Sequence, residues 1–131
     1  MAQHAIELIL MRQLASYLVT PMFVVDTAGD LVYYNVPAER MLGLRFDETG
    51  EMALEEWGSA FKPTDEHGTP LPLDELPLVK VVDTRHPAQG SFWIRGLDGV
   101  SRYISVAAFP LIEQGGRDLG SVAVFWEERV R

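Results

Sequence analysis

The sequence predicts an α+β fold: a five-stranded antiparallel sheet, helices inserted between its second and third strands, and an amphipathic helix in front. Three observations carry this expectation. Residues 21–35, PMFVVDTAGDLVYYN, hold two short runs rich in β-branched and aromatic residues around an Asp26-Thr-Ala-Gly-Asp30 turn, the pattern of a β-hairpin. The last third of the chain holds three longer apolar runs separated by turn residues. Between these regions lie segments with helical spacing, bounded by Pro, Gly and a capping Asn.

In chain order, residues 5–18 read as a helix with Ile6, Leu10, Leu14, Tyr17 and Leu18 on one stripe, which Ile9 and Met11 widen. Thr20-Pro21 ends it, because the residue before proline avoids the α region. The hairpin follows, with Gly29 supplying the positive φ of its turn. Asn35 offers a side-chain oxygen to the free N–H groups of the next helix, and Pro37 falls in its first turn. Gly43 marks its C-terminal stop.

From 44 to 72 the pattern weakens. It leaves a short helix over 53–61 and then the loop KPTDEHGTPLP. Asp74 is placed to cap a further helix with Pro77 in its first turn; Leu76, Val79 and Val82 share one face, and Arg85-His86-Pro87 closes it. Strands over 90–96, 101–111 and 119–127 complete the chain, joined by Leu97-Asp98-Gly99 and by the longer Glu113-Gln-Gly-Gly-Arg-Asp118. Strand alternation puts Phe92, Ile94, Ile104, Val106, Ala108, Val122 and Val124 on one face with Phe23 and Val25. Tyr103, Phe109 and Phe125 fall on the other, with Trp93 and Trp126 at the edges.

Composition narrows the function. At 131 residues with 47% apolar content, the chain reads as one globular domain with a packed core. It has no cysteine, which removes disulfides, thiolate nucleophiles and Cys-ligated metals and suits a reducing cytoplasm. A net charge of −8 argues against a phosphate backbone as partner. No apolar stretch approaches the roughly 20 residues that cross a bilayer, and no basic leader with a cleavage site is present. The expected setting is cytoplasmic, with neither nucleic acid nor membrane as partner.

The hairpin, the capping Asn35 and Ala38-Glu-Arg-Met-Leu-Gly43 together resemble the opening of a PAS domain, a family of small sensory and dimerisation modules. Phe92-Trp-Ile-Arg95, Asp98-Gly99, Tyr103-Ile-Ser-Val-Ala-Ala-Phe-Pro110 and Gly120-Ser-Val-Ala-Val-Phe125 look like the family's last three strands in order. The resemblance spans nearly the whole chain and divides it into an N-terminal amphipathic dimerisation helix, 1–20, and a PAS domain, 21–131. It implies a cavity between the concave sheet face and the inserted helices. Phe23, Val25, Leu76, Val79, Val82, Phe92, Ile94, Ile104, Val106, Ala108, Val122 and Val124 are the expected lining. That lining is apolar, so it suits a fatty-acid-like ligand better than a charged metabolite, with Arg95 or Arg102 placed for a polar head group. Family members commonly associate, so the stripe of Ile6, Leu10, Leu14, Tyr17 and Leu18 is the expected homodimer interface, and a signalling effector is the implied partner. The alternative is a ligand-free protein–protein interaction module whose core is filled.

A third reading is a haem-binding sensor. In haem-binding PAS proteins the axial His projects from the helix before the third strand; here that helix carries Lys80 and Asp83, and His86 lies at its end. His86 reads instead as a cap on the last carbonyls, and His67 and His4 as solvated, which disfavours haem and any metal site. The missing cysteine also disfavours the flavin photochemistry of light-oxygen-voltage domains. The acidic pairs Glu55-Glu56, Asp65-Glu66, Asp74-Glu75 and Glu127-Glu128 are adjacent in sequence and do not share a helical face, and no serine has a nucleophile-elbow context. No catalytic residue is expected, and the chain reads as a non-enzyme. Where family members wired to a kinase or cyclase end in Asp-Ile-Thr, this chain has Phe125-Trp-Glu-Glu-Arg-Val-Arg131.

Overall fold

The computed structural model describes residues 6–128. Helix α1, Ile6–Tyr17, leads into the hairpin β1, Met22–Val25, and β2, Leu31–Tyr34. Three short helices follow: α2, Val36–Leu42; α3, Phe46–Thr49; and α4, Leu54–Ala60. A 3₁₀ turn, Leu73–Glu75, precedes α5, Pro77–Thr84, and the chain closes with β3, Ala88–Arg95, β4, Ser101–Ile112, and β5, Asp118–Glu127. The strands form one antiparallel sheet in the order β2-β1-β5-β4-β3, so the first hairpin joins the last strand through β1 and β5.

The expected architecture is the one observed. Asp26 builds the hairpin turn by accepting from the N–H groups of Ala28 and Asp30, and Gly29 takes φ 87°. Asn35 caps α2 as expected, accepting from the Ala38 N–H at 3.2 Å, and Gly43 ends that helix in the left-handed region at φ 82°. Asn35 also does more than the sequence disclosed. It is fully buried, accepts from the Met22 N–H at 3.0 Å, and donates to the carbonyls of Ala15 and Thr20 at 3.0 and 2.9 Å. One amide thereby ties the end of α1, the start of β1 and the start of α2 together.

Three local expectations are corrected. Helix α3 lies in the stretch whose pattern was weak; Phe46 anchors it, edge-on to the rings of Tyr33 and Tyr34, and the Glu39 carboxylate accepts from the Phe46 N–H. Asp74 does not cap α5: it sits in the 3₁₀ turn, and the helix starts at Pro77 without a side-chain cap. His86 caps nothing by its imidazole; Arg85 takes the left-handed position (φ 62°), and its guanidinium donates to the Val82 carbonyl and pairs with Asp118 at 2.7 Å.

Both faces of the sheet are buried over β1 and β5, and this overturns part of the expected face assignment. Val106 pairs with Phe125 and Ala108 with Ala123, so Ala123 and Phe125 face the inserted helices with Phe23 and Val25. Val122 and Val124 point the other way, with Met22 and Val24, into a second core under α1. A strand covered on both sides is apolar throughout, so alternation in Val122-Ala-Val-Phe125 does not reveal which face is which. Phe109 packs on the α1 side as expected, and Trp93 and Tyr103 lie together, ring centroids 5.4 Å apart.

Helix α1 seats on this second core through Leu8 and Ala15, with Met11 and Leu18 partly buried beside them. The expected stripe does not cover the chain's own sheet: Ile6, Leu10, Leu14 and Tyr17 are 66%, 56%, 51% and 85% exposed. Arg12 fastens the outer end, its guanidinium 4.8 Å from the centre of the Tyr33 ring and 5.6 Å from that of Phe46. Desolvation pushes the Tyr33 phenol above its ordinary range, an effect that Arg12 opposes.

Candidate apolar cavity between the sheet and the inserted helices

Between the concave sheet face and α2, α4 and α5 lies a cavity of about 80 Å³. Every residue on its wall is buried. Strands β3 and β4 supply Phe92, Ile94, Ile104 and Val106, and β1 and β5 supply Phe23, Ala123 and Phe125. Leu42 enters from α2, Trp57 and Gly58 from α4, and Phe61 and Pro63 from the segment after it. Leu76, Pro77 and Leu78 close the side formed by α5.

Of the residues expected to line a cavity, Phe23, Leu76, Phe92, Ile94, Ile104 and Val106 stand on this wall. Val25, Val79 and Ala108 are buried in the same core but lie off the wall, and Val82 packs against that core from its edge. Val122 and Val124 belong to the opposite face. Trp57, Phe61 and Phe125 were not among the expected lining; with Phe23 and Phe92 they make a third of the wall aromatic. Trp57 and Phe61 are spaced i, i+4 at the end of a short helix, the one signal that identifies them as a shared face.

The wall has little chemistry besides dispersion. Its single side-chain nitrogen, the Trp57 indole N–H, donates to the Gly29 carbonyl at 2.8 Å and is therefore engaged. Phe23 meets Trp57 edge-on at 5.2 Å and stacks on Tyr34 at 6.0 Å. The Tyr34 hydroxyl donates to the Leu44 carbonyl at 2.8 Å, and burial raises its pKa. Neither arginine named for a head group reaches the wall. Arg102 donates to the Met41 carbonyl at 2.9 Å and lies 3.7 Å from Asp98, while Arg95 is exposed.

Solved structures share this fold. The chain is similar to the PAS domain of BvgS from Bordetella pertussis, with a TM-score of 0.64 at 17% identity, over 95% of this chain and 88% of that one. The fold is a PAS fold. A PAS domain of an HTR-like protein from Haloarcula marismortui matches at TM-score 0.61 and 14% identity, over 90% of this chain and 88% of that one. A light-oxygen-voltage protein from Rhodobacter sphaeroides matches at TM-score 0.69 and 12% identity, over 89% of this chain and 64% of that one. No protein-family model and no curated protein sequence matches the chain.

The cavity of this PAS fold does not fit haem or a flavin. Its wall carries no imidazole and no polar side chain free to hold a ring nitrogen or a propionate, and the chain has no cysteine for a flavin adduct. His86 is exposed at the end of α5 and off the wall, and His67 lies exposed 3.6 Å from Glu66; His4 lies outside the described residues. Among the described residues no three His, Cys, Asp or Glu side chains gather as a metal site, and no helix is long and apolar enough to cross a membrane.

Proposed function

We propose that the chain is a sensory module that takes a small, neutral, apolar ligand into this cavity and acts as a homodimer on a signalling effector in the cytoplasm. It carries out no catalysis. The observation that carries the reading is the cavity itself: a space lined by buried apolar side chains, in a fold shared with PAS and light-oxygen-voltage domains. A buried charge there would find no partner, so the ligand class is uncharged. The volume favours compact molecules: a cavity of about 150 Å³ accommodates benzene, and this one is smaller, so a ring of that size enters only as the wall gives. A fatty acid fits only if the wall opens and its carboxyl group stays outside. The same small volume supports the alternative, an interaction module with a filled core.

Native mass spectrometry of the purified protein, followed by organic extraction, separates the two. A ligand-binding module carries an extractable apolar molecule, or takes up benzene with shifts of the Trp57 and Phe125 signals in NMR. A chain that is empty and does not respond to benzene is an interaction module.

Dimerisation is proposed through the outward face of α1, the segment treated as separate from the PAS domain beginning at residue 21. Ile6, Leu10, Leu14 and Tyr17 present exposed apolar surface there among the described residues, and Leu18 lies partly buried at its edge. The double substitution Leu10→Glu and Leu14→Glu places four-residue-spaced charges on that face while leaving the seat formed by Leu8 and Ala15 intact. Light scattering is expected to show a dimer for the unmodified chain and a folded monomer for the variant. An unmodified chain that stays monomeric at high concentration removes the dimer from the proposal.

A further inference from the structure

Every residue of the wall is buried and the space is only about 80 Å³, so a ligand of larger size is admitted only when part of the wall moves, and the anchoring of its parts is unequal. Helix α5 holds Leu78, Val79 and Val81 at 5% exposure or less, and α2 is pinned by Asn35. Trp57 fixes α4 through its bond to the Gly29 carbonyl, which leaves the segment 61–71, a small proline-bearing hairpin in which Thr64 bridges Pro70 and Leu71 donates to the Pro63 carbonyl. Its first arm lies along the free edge of β3. The N–H of Thr64 donates to the Trp93 carbonyl and that of Trp93 to the Thr64 carbonyl, both at 2.9 Å, and Arg95 donates to the Phe61 carbonyl at 2.7 Å. Phe61 and Pro63 are the side chains it puts on the cavity wall.

Both ends of the hairpin suit a hinge. Lys62, between two wall residues, holds a left-handed φ of 47° that a side chain adopts only under constraint. At the other end Leu73 lies where a Cβ on Gly58 would stand, so a side chain, not the backbone, holds that end down. The prolines at 63, 70 and 72 lack N–H groups and limit the pairing the hairpin can offer, which keeps it a removable cover rather than a sixth strand.

We propose that the 61–71 hairpin is the door of the cavity: it peels from the β3 edge as a unit between the end of α4 and the 3₁₀ turn, admits the ligand between Phe61 and Phe92, and re-forms its pairing behind it. This rests on the ligand-binding reading above for its purpose, but the motion itself is testable without a ligand.

Amide hydrogen exchange on the full chain decides the motion. The N–H groups of Thr64, Trp93 and Arg95 are expected to exchange together, about tenfold or more faster than those of Phe92 and Ile94, which alternate toward β4. Exchange of all five at one common rate overturns the door. A lock then tests access. The chain has no cysteine, so Thr64→Cys with Trp93→Cys gives a single cross-strand pair at a separation that a disulfide spans. With benzene as the probe, the oxidised variant is expected to take it up at least about tenfold more slowly than its own reduced form, with similar final occupancy. Equal uptake rates in the two forms place the entrance elsewhere and overturn the proposal. A wild-type chain that binds no benzene removes the ligand reading, while the exchange pattern still decides whether the hairpin opens.

Discussion

Asn35→Ala is expected to be among the most destabilising single substitutions in the chain. The side chain is fully buried and makes four hydrogen bonds: it accepts from the N–H groups of Met22 and Ala38 and donates to the carbonyls of Ala15 and Thr20. Alanine leaves those four backbone groups without that partner. Loss of the cap alone costs about 1 kcal/mol. A buried group left unsatisfied costs roughly 1–3 kcal/mol, so a total of about 3–5 kcal/mol is expected after partial relaxation and hydration of the Thr20 carbonyl. Against the roughly 5–15 kcal/mol that holds a typical domain folded, that is a large fraction. Chemical denaturation of both forms measures it. Asn35→Asp separates the roles, because it keeps the acceptor for β1 and α2 but loses the donor toward α1. Its signature is loss of protection in α1 with α2 retained, and a loss below about 1 kcal/mol for the alanine variant would show that the network is idle.

Val106→Asp is expected to have a comparable effect by a different route. Val106 faces the cavity opposite Phe125 and is 7% exposed, with no cationic side chain on the surrounding wall. A carboxylate there loses hydration without gaining a partner, a cost of several kcal/mol that the group reduces by staying protonated. The pH dependence has a definite sign. Desolvation raises the folded-state pKa of the new aspartate above its unfolded value of about 3.9. Below that value both states are protonated, and only the burial of a neutral acid is felt. As pH rises toward the folded-state pKa, the unfolded state releases its proton first and the variant loses stability. Thermal melts of the variant are therefore expected to fall relative to wild type between pH 4 and neutrality. A midpoint equal to wild type at pH 7 would mean that residue 106 faces water.

What the sequence disclosed, and what it withheld, follows from how each element is stabilised. The first hairpin and α2 are set by local chemistry: Asp26 and Gly29 build the turn, Asn35 and Gly43 bound the helix, and each acts within a few residues of itself. Such features are legible in one dimension. The seat of α1 is not, because Ile6, Leu8, Ile9, Leu10, Met11 and Leu14 leave the helix apolar nearly all round, so periodicity cannot choose its buried side. Ala15, small enough to let the helix approach β1, carries no hydrophobic signal comparable to Leu14, yet Ala15 is the residue fully buried. The faces of β5 were misassigned for a related reason. Periodicity reports a boundary between water and core, and over Val122 to Phe125 no such boundary exists. About half of the expected cavity lining was right because β3 and β4 do have a wet side, and there alternation fixes the register. The aromatic wall from Trp57 and Phe61 lay in a stretch too short and too interrupted for a periodic signal.

The double-sided burial of β5 also sets how this chain can vary. In the middle of β4 every second residue has room to change, since Tyr103, Ser105 and Ala107 keep some access to water beside buried Ile104, Val106 and Ala108. In β5 the positions from Leu119 to Ala123 are buried without a break. A substitution there disturbs the cavity if it falls at Ala123 and the seat of α1 if it falls at Val122. Gly120 permits no side chain, because an added Cβ would stand 2.5 Å from the Val25 carbonyl oxygen. The strand is a party wall between two rooms. Along this stretch of β5 no position is left free of a core, so a change is felt in one room or the other.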